Sequence, residues 1–262
     1  MNFNFKNKNV FISGATHGIG LACILSFAKL GANVITFSRD KKKISLLKKK
    51  LNSLKATYFI EEGDVLDEKF IHSFSQTVLK KYKKIEILIH NVGGGGRWGE
   101  ENFLNTNLSV WDEVYKKNNN GTVIFSKYFL PSMIKNNWGR VIAIGSVAGI
   151  ETQSQHRPWF VAAKAAQHAI IKSFSKKHNF TKENITFNTI SPGPIFIKNT
   201  GWDTEKKKNL RNFNNYVKNF IPTKNMGEPK DISNMCIYLC SDYAKYINGS
   251  NIVIDGGLIN SI

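Results

Sequence analysis

A glycine turn near the start of the chain is the first feature with chemical potential. Gly14, Gly18 and Gly20 lie between a short apolar run at residues 9–13 and a segment with helical spacing at residues 21–30. A glycine turn that enters a helix lets backbone N–H groups and the positive end of the helix approach a pyrophosphate closely. The spacing therefore favours a dinucleotide-binding site, and the alternative is a simple tight turn between a strand and a helix.

Several motifs resemble those of the short-chain dehydrogenase/reductase (SDR) family. Residues 13–20 resemble T-G-x-x-x-G-I-G with serine for threonine, residues 90–93 resemble N-N-A-G, and residues 160–164 resemble Y-x-x-x-K with Phe160 at the tyrosine. The resemblance implies one α/β domain, residues 1–262, of the doubly wound Rossmann type, with a parallel central sheet and helices on both faces. It also implies hydride transfer between a nicotinamide and a carbonyl or alcohol.

The resemblance implies catalytic roles for four residues. In this family the tyrosine exchanges a proton with the substrate oxygen, and the lysine, here Lys164, lowers the tyrosine pKa and holds the nicotinamide ribose. Ser146 corresponds to the serine that orients the substrate oxygen. Asn118 corresponds to the asparagine whose bound water continues the proton relay, although the asparagines at residues 119–120 leave the register open. Phe160 has no hydroxyl, so it can pack but cannot act as an acid or a base.

Three interpretations of Phe160 follow. In the first, the native enzyme has tyrosine and Phe160 is a deliberate substitution, because Ser146, Lys164 and Asn118 are all present. In the second, phenylalanine is native and another acid, such as water or His156, completes an oxidoreductase or a related sugar-modifying reaction. In the third, the chain is a non-catalytic cofactor-binding or scaffolding protein. Losing a general acid lowers a rate by about 10²–10⁴-fold, so restoring the hydroxyl separates the first interpretation from the third.

The residues after the second predicted strand favour NADP(H) over NAD(H). Ser38 stands where NAD-selective family members carry an aspartate, and Arg39 suits a 2′-phosphate by charge and by bidentate geometry. An ordinary solvated arginine is the alternative. By resemblance, the other cofactor-binding residues are Gly14, Thr16, His17, Gly18, Ile19, Gly20, Asp64, Val65, Asn91, Gly93, Lys164, Pro192, Gly193 and Ile195.

Two regions are predicted to bind substrate. The glycine-rich tract at residues 94–99 is interpreted as a loop that lines the pocket, rather than as a flexible linker. The basic segment at residues 198–226 is predicted to form a mobile lid, whose lysines are either solvated or attract an anionic substrate such as a phosphorylated sugar. The predicted substrate-contacting residues are Arg97, Ser146, His156, Arg157 and Trp202.

The high positive charge of the chain raises the question of whether it binds nucleic acid. A net charge of +18 invites a nucleic-acid interpretation, but the lysines fall in scattered stretches and no nucleic-acid module accompanies them. We expect no specific nucleic acid and only weak nonspecific binding at low salt. The expected partners are a small-molecule substrate and, by the family resemblance, further copies of the chain in a homodimer or homotetramer.

The remaining composition predicts an ordinary cytoplasmic protein. The chain has no run of about 18 apolar residues and no apolar segment near its start, so neither a membrane span nor a signal peptide is supported. No metal site is predicted. The three cysteines are interpreted as buried packing groups, and a metal or disulfide at Cys236 and Cys240, which would share a helix face, is the alternative.

Alternating strands and helices must position these residues, as is typical of a parallel sheet. The pattern predicts strands at residues 9–13, 33–37, 57–60, 85–89, 139–146 and 185–190, with a last strand within 247–257 by resemblance, and helices at 21–30, 44–54, 70–82, 111–133 and 162–174.

Overall fold

The computed structural model describes residues 1–100, 102–153, 155–181 and 184–261. Within these residues one seven-stranded sheet forms the centre of the molecule, and its paired strands are parallel. The strands are β1 (Asn9–Ile12), β2 (Asn33–Ser38), β3 (Tyr58–Glu62), β4 (Ile87–His90), β5 (Gly139–Ile144), β6 (Ile185–Pro192) and β7 (Asn251–Ile254). Their order across the sheet, β3-β2-β1-β4-β5-β6-β7, confirms the predicted doubly wound fold.

Helices cover both faces of the sheet. The described helices are α1 (Gly18–Lys29), α2 (Lys41–Ser53), α3 (Glu68–Tyr82), α4 (Leu108–Lys135), α5 (Pro158–Ser175), α6 (His178–Thr181), α7 (Gly201–Lys208), α8 (Leu210–Phe220) and α9 (Pro229–Cys240). Side chains of α1, α2 and α9 pack on one face, and side chains of α3, α4 and α5 pack on the other. Among the described residues, no helix is both long and apolar enough to cross a membrane.

The strands β1, β4, β5 and β6 are buried along their whole length because both of their faces are covered. In β1, Val10 and Ile12 belong to the cluster beneath α1 and α9, whereas Phe11 belongs to the cluster beneath α3 and α4. The Phe11 ring lies 4.6 Å from the Phe125 ring and 5.3 Å from the Phe129 ring, measured between centroids. One strand therefore contributes to both halves of the core.

Several element boundaries differ from the predictions by a few residues, and the start of α5 has a clear physical reason. Helix α5 begins at Pro158 rather than at residue 162, because proline at the first helical position loses no hydrogen bond and has a suitable φ. Strand β7 (Asn251–Ile254) lies within the predicted range 247–257, and it follows a bend in which Gly249 has φ +70°. The earlier start of α5 places Phe160 in the first turn of that helix.

The three cysteines are buried and lie together where α1 packs against α9. The Cys23 and Cys236 sulfurs are 3.7 Å apart, and burial raises the pKa of the Cys240 thiol. The interpretation as buried packing groups is confirmed.

Candidate active site

Ser13 and Asn91 fasten the glycine turn to the end of β4. Ser13 Oγ accepts hydrogen bonds from the backbone N–H groups of Asn91 and Val92, both at 3.0 Å. The Asn91 amide donates to the carbonyl oxygens of Ser13 at 2.9 Å and Gly14 at 3.1 Å. Gly14 has φ +66°, and a Cβ at Gly20 would lie 2.5 Å from Asn91 Nδ2, so both positions require glycine.

The turn leads directly into the N-terminus of α1. His17 is the N-cap residue and its side chain makes no capping bond, and the first turn of the helix contains no acidic residue. The first N–H groups of a helix have no partner within the helix, and they carry a partial positive charge. Glycines that keep the approach open and a helix end that attracts anions together fit a dinucleotide diphosphate. Thr16, Gly18 and Ile19 complete this turn.

Four predicted adenosine-binding residues meet at the ends of β2 and β3. The Ser38 hydroxyl lies 3.0 Å from Thr16 Oγ1. Arg39 Nη1 lies 3.1 Å from Asp64 Oδ2, and the arginine side chain is 63% exposed. Val65, next to Asp64, is buried. This edge therefore presents hydroxyl groups and a guanidinium, with Asp64 as the partner of that guanidinium.

Lys164 lies on α5 and is only 4% exposed. Its Nζ donates to the carbonyl oxygen of Ile144 at 2.8 Å and to Gln167 Oε1 at 3.0 Å. Burial lowers the pKa of the Lys164 ammonium to about 7. A Cβ at Gly93 would lie 3.0 Å from Nζ and 2.6 Å from Asn118 Oδ1, so the glycine leaves room for both side chains.

Asn118 connects α4 to the glycine tract. Its Nδ2 donates to the carbonyl oxygens of Val114 at 2.7 Å and Gly94 at 2.8 Å, and its Oδ1 accepts from the Gly94 N–H at 3.2 Å. Its own carbonyl oxygen accepts from Gln167 Nε2 at 3.0 Å. The side chain and the carbonyl of Asn118 therefore both have partners within the protein.

Ser146 and Phe160 face one cavity of about 1190 Å³. Ser146 follows β5, and its Oγ accepts the Ala148 N–H at 3.2 Å, so the hydroxyl proton remains available to a substrate oxygen. The Phe160 ring packs beside Gly96 in the first turn of α5. The wall next to Ser146 therefore contains an aromatic ring without a polar atom.

The predicted substrate residues Arg97, His156, Arg157 and Trp202 also line this cavity, as do Pro192 and Gly193. Trp202 stacks on Tyr216 of α8, with ring centroids 4.8 Å apart. Arg97 lies 3.9 Å from the Glu205 carboxylate, so a carboxylate already opposes its charge. The structure therefore brings α7 and the glycine tract to the same cavity.

Ile195 is placed differently from the other predicted cofactor residues. Its side chain is 7% exposed and belongs to the core cluster beneath α1 and α9, and its backbone forms a bridge with Gly227. Ile197, two residues further along, packs against Gly18. The segment after Gly193 thus contributes mainly apolar packing.

His156 is held in one orientation by its own loop. Its Nδ1 lies 3.2 Å from the Gln153 backbone N–H, which must be the donor. The neutral ring therefore carries its proton on Nε2. Burial lowers the pKa of His156, so the neutral form is favoured.

Two further residues, Gln167 and Trp159, hold the site together and are not among the residues predicted from the sequence. Trp159 is 1% exposed, and its Nε1 donates to the carbonyl oxygen of Gly95 at 3.2 Å, which anchors the glycine tract. Gln167 contacts both Lys164 and Asn118. The available signal was a glutamine one helical turn after the lysine, in a helix rich in alanine and isoleucine.

The parallel sheet, the glycine turn and the buried lysine define the class of nicotinamide-dinucleotide oxidoreductases with a Rossmann-type fold. A family model described as enoyl-(acyl carrier protein) reductase matches residues 14–259. The chain belongs to the short-chain dehydrogenase/reductase family.

Individual relatives agree with this assignment. The chain is 32% identical to a 3-oxoacyl-(acyl-carrier-protein) reductase of Buchnera aphidicola subsp. Acyrthosiphon pisum, over 97% of this chain and 98% of the relative. L-Sorbose reductase from Gluconobacter frateurii, solved with NADPH and L-sorbose, has a TM-score of 0.90 at 24% identity and full coverage of both chains. A 7α-hydroxysteroid dehydrogenase solved with NADH has a TM-score of 0.87 at 24% identity, over 99% of this chain and 97% of the other. These two structures support the fold.

Proposed function

We propose that the protein is a reductase or dehydrogenase that interconverts a carbonyl and an alcohol, with NADP(H) preferred over NAD(H). The observation that carries the proposal is the position of Lys164 behind the cavity that Ser146 lines. Its Nζ donates to the carbonyl oxygen of Ile144, two residues before Ser146, and lies close to Gly93. A bound nicotinamide dinucleotide supplies or accepts the hydride. Ser146 donates a hydrogen bond to the substrate oxygen and so orients it, and Lys164 holds the ribose.

Position 160 is the proposed site of the proton donor. Its ring lies beside Gly96 on the wall of the cavity that contains Ser146, and phenylalanine has no proton to give. The protein as it stands should therefore bind cofactor and turn over slowly. A second candidate function, a non-catalytic cofactor-binding partner of an active homologue, is favoured by the same missing hydroxyl.

The test is Phe160→Tyr compared with the unchanged protein, each mixed with NADPH or NADH and a panel of carbonyl compounds. We expect turnover of at least one compound to rise by about 10²–10⁴-fold, because a general acid is restored. The decrease in absorbance of the reduced cofactor measures it. Adding Ser146→Ala to Phe160→Tyr is the matched control and should remove most of the gain.

Two other outcomes separate the remaining interpretations. If both proteins bind NADPH and neither turns over, the catalytic proposal is wrong and the scaffold function is favoured. If the unchanged protein is already active and His156→Gln abolishes that activity, His156 is the proton donor, a role that its Nε2 proton and its place in the cavity support.

An anionic substrate is the proposed class, with a sugar phosphate as the example. The cavity is lined by the stacked rings of Trp202 and Tyr216, which suit a ring-shaped body, and by the cations Arg157 and Lys208, which suit a charged group. In the same panel, phosphorylated sugars should give a higher kcat/KM than their neutral counterparts. Equal values would contradict this part of the proposal.

A further inference from the structure

Gln167 is a polar side chain without solvent exposure, three residues after Lys164 on α5. Its Oε1 accepts from Lys164 Nζ at 3.0 Å. Its Nε2 donates to the carbonyl oxygen of Asn118 at 3.0 Å and lies 3.3 Å from Thr122 Oγ1. The oxygen and the nitrogen of this buried amide therefore both have partners, as burial of a polar group requires.

The contacts on α4 fix the direction in which the amide faces. The carbonyl oxygen of Asn118 can only accept, so the amide nitrogen of Gln167 must face it. The amide oxygen then faces Lys164, and the reversed amide would set two donors against each other. The lysine amine is thus held between two acceptors, Gln167 Oε1 and the carbonyl oxygen of Ile144 at 2.8 Å.

We propose that Gln167 is a positioning residue for Lys164. Its amide, held by the Asn118 carbonyl on α4, fixes the position of the buried amine next to Gly93 and supports the ammonium form, so that the remaining N–H stays available to a ligand beside Gly93. An ammonium has three N–H donors, and two of them go to Gln167 and Ile144. This inference rests on the proposed function in one respect: the ligand beside Gly93 is taken to be the nicotinamide dinucleotide.

The groups around Lys164 keep their charge while the lysine titrates, which makes the effect of Gln167 measurable. Among the described residues, His168 on the same helix is the titratable group coupled to the lysine, and its pKa is lowered to about 4, first by burial and then by the lysine charge. His168 is therefore neutral throughout the range in which Lys164 titrates. Its Nε2 lies 3.1 Å from Ser191 Oγ. From β5 and α4 the lysine region meets carbonyl and amide groups, which do not titrate.

The experiment follows the ionisation of Lys164 directly. Protein labelled with ¹³Cε-lysine is titrated by NMR without cofactor, with the Lys164 signal assigned from Lys164→Met. Gln167→Leu removes the acceptor and should lower the Lys164 midpoint by about one pH unit or more. Gln167→Glu places a carboxylate there and should raise it by a similar amount. Thr122→Val removes only the longer contact of the amide nitrogen and leaves its bond to the Asn118 carbonyl, so this matched control should leave the midpoint near that of the unchanged protein.

The dissociation constant for NADPH, measured across the same pH range, tests the link to the site. If NADPH binding depends on the Lys164 ammonium, the affinity is highest below the lysine midpoint and falls as pH rises through it. The fall should therefore begin at a lower pH in Gln167→Leu and at a higher pH in Gln167→Glu. Shifts of the Lys164 midpoint in opposite directions for Gln167→Leu and Gln167→Glu support the proposal. If Gln167→Leu folds poorly, Gln167→Met takes its place as the apolar replacement. Unchanged midpoints, or shifts of the same sign, overturn it. Failure of the unchanged protein to bind NADPH contradicts the proposed function instead, and leaves the NMR result standing.

Discussion

Arg39 reaches from the end of β2 to Asp64, with 3.1 Å between the charged atoms. The guanidinium is 63% exposed, and an exposed ion pair of this kind contributes only about 0–1 kcal/mol to folding. A phosphate ligand can therefore replace the carboxylate at little cost to stability. Ser38 adds a hydroxyl where a carboxylate would repel that phosphate. At the scale of single residues, the proposed preference for NADP(H) depends on this exchange of partners.

Arg39→Ala should weaken NADPH binding by about 10–100-fold and change NADH binding little, because NADH has no 2′-phosphate for the guanidinium to bind. Dissociation constants from fluorescence titration with each cofactor measure the ratio. Lys41→Ala is the matched control, since it removes a cation from the same region that pairs with Glu62 rather than with Asp64. Equal losses for NADPH and NADH would show that Arg39 does not distinguish the two.

At the scale of elements, the sequence predicted the order of strands and helices and the place of the glycine turn, because apolar runs and glycine spacing are local signals. The start of α5 at Pro158 was also available from local chemistry. The hydrogen bond from Lys164 to Gln167 was not predictable from local chemistry, because it depends on which face of α4 meets α5. The hydrogen bonds from Asn91 to the glycine turn likewise join segments that are 77 and 78 residues apart.

Asn91→Ala should lower the melting temperature and weaken NADPH binding by about tenfold. It removes two hydrogen bonds from the carbonyl oxygens of the turn, and a lost hydrogen bond costs about 0.5–1.5 kcal/mol. Calorimetry and cofactor titration measure the two effects. Asn52→Ala, which removes an exposed contact with Tyr58, should change neither by a comparable amount. A destabilised variant with unchanged affinity would show that the turn does not limit cofactor binding.

At the scale of the whole molecule, a charge of +18 on 262 residues gives a positive field without a focused site. Much of that charge lies on helices at the surface, such as the lysines of α2 and α7. The homodimer or homotetramer implied by the family resemblance stays a prediction. The field itself should attract any polyanion, which makes salt dependence the informative measurement.

Duplex DNA should bind weakly at low salt and at least tenfold more weakly when salt rises from about 50 to 200 mM, because the attraction comes from counterion release. Fluorescence anisotropy with two unrelated sequences measures this, and the two should bind alike. A strong preference for one sequence would contradict the expectation that no specific nucleic acid is bound.

The thiols packed between α1 and α9 allow the separation of these two helices to be measured. Because Cys23, Cys236 and Cys240 are all buried, an alkylating reagent can reach them only after the two helices separate. The rate of labelling then measures how often this part of the molecule opens. Helix α1 begins at the glycine turn, so a ligand that binds only the closed form should slow the labelling in proportion to its occupancy. Thiol labelling can thus compare ligands without any chemical turnover.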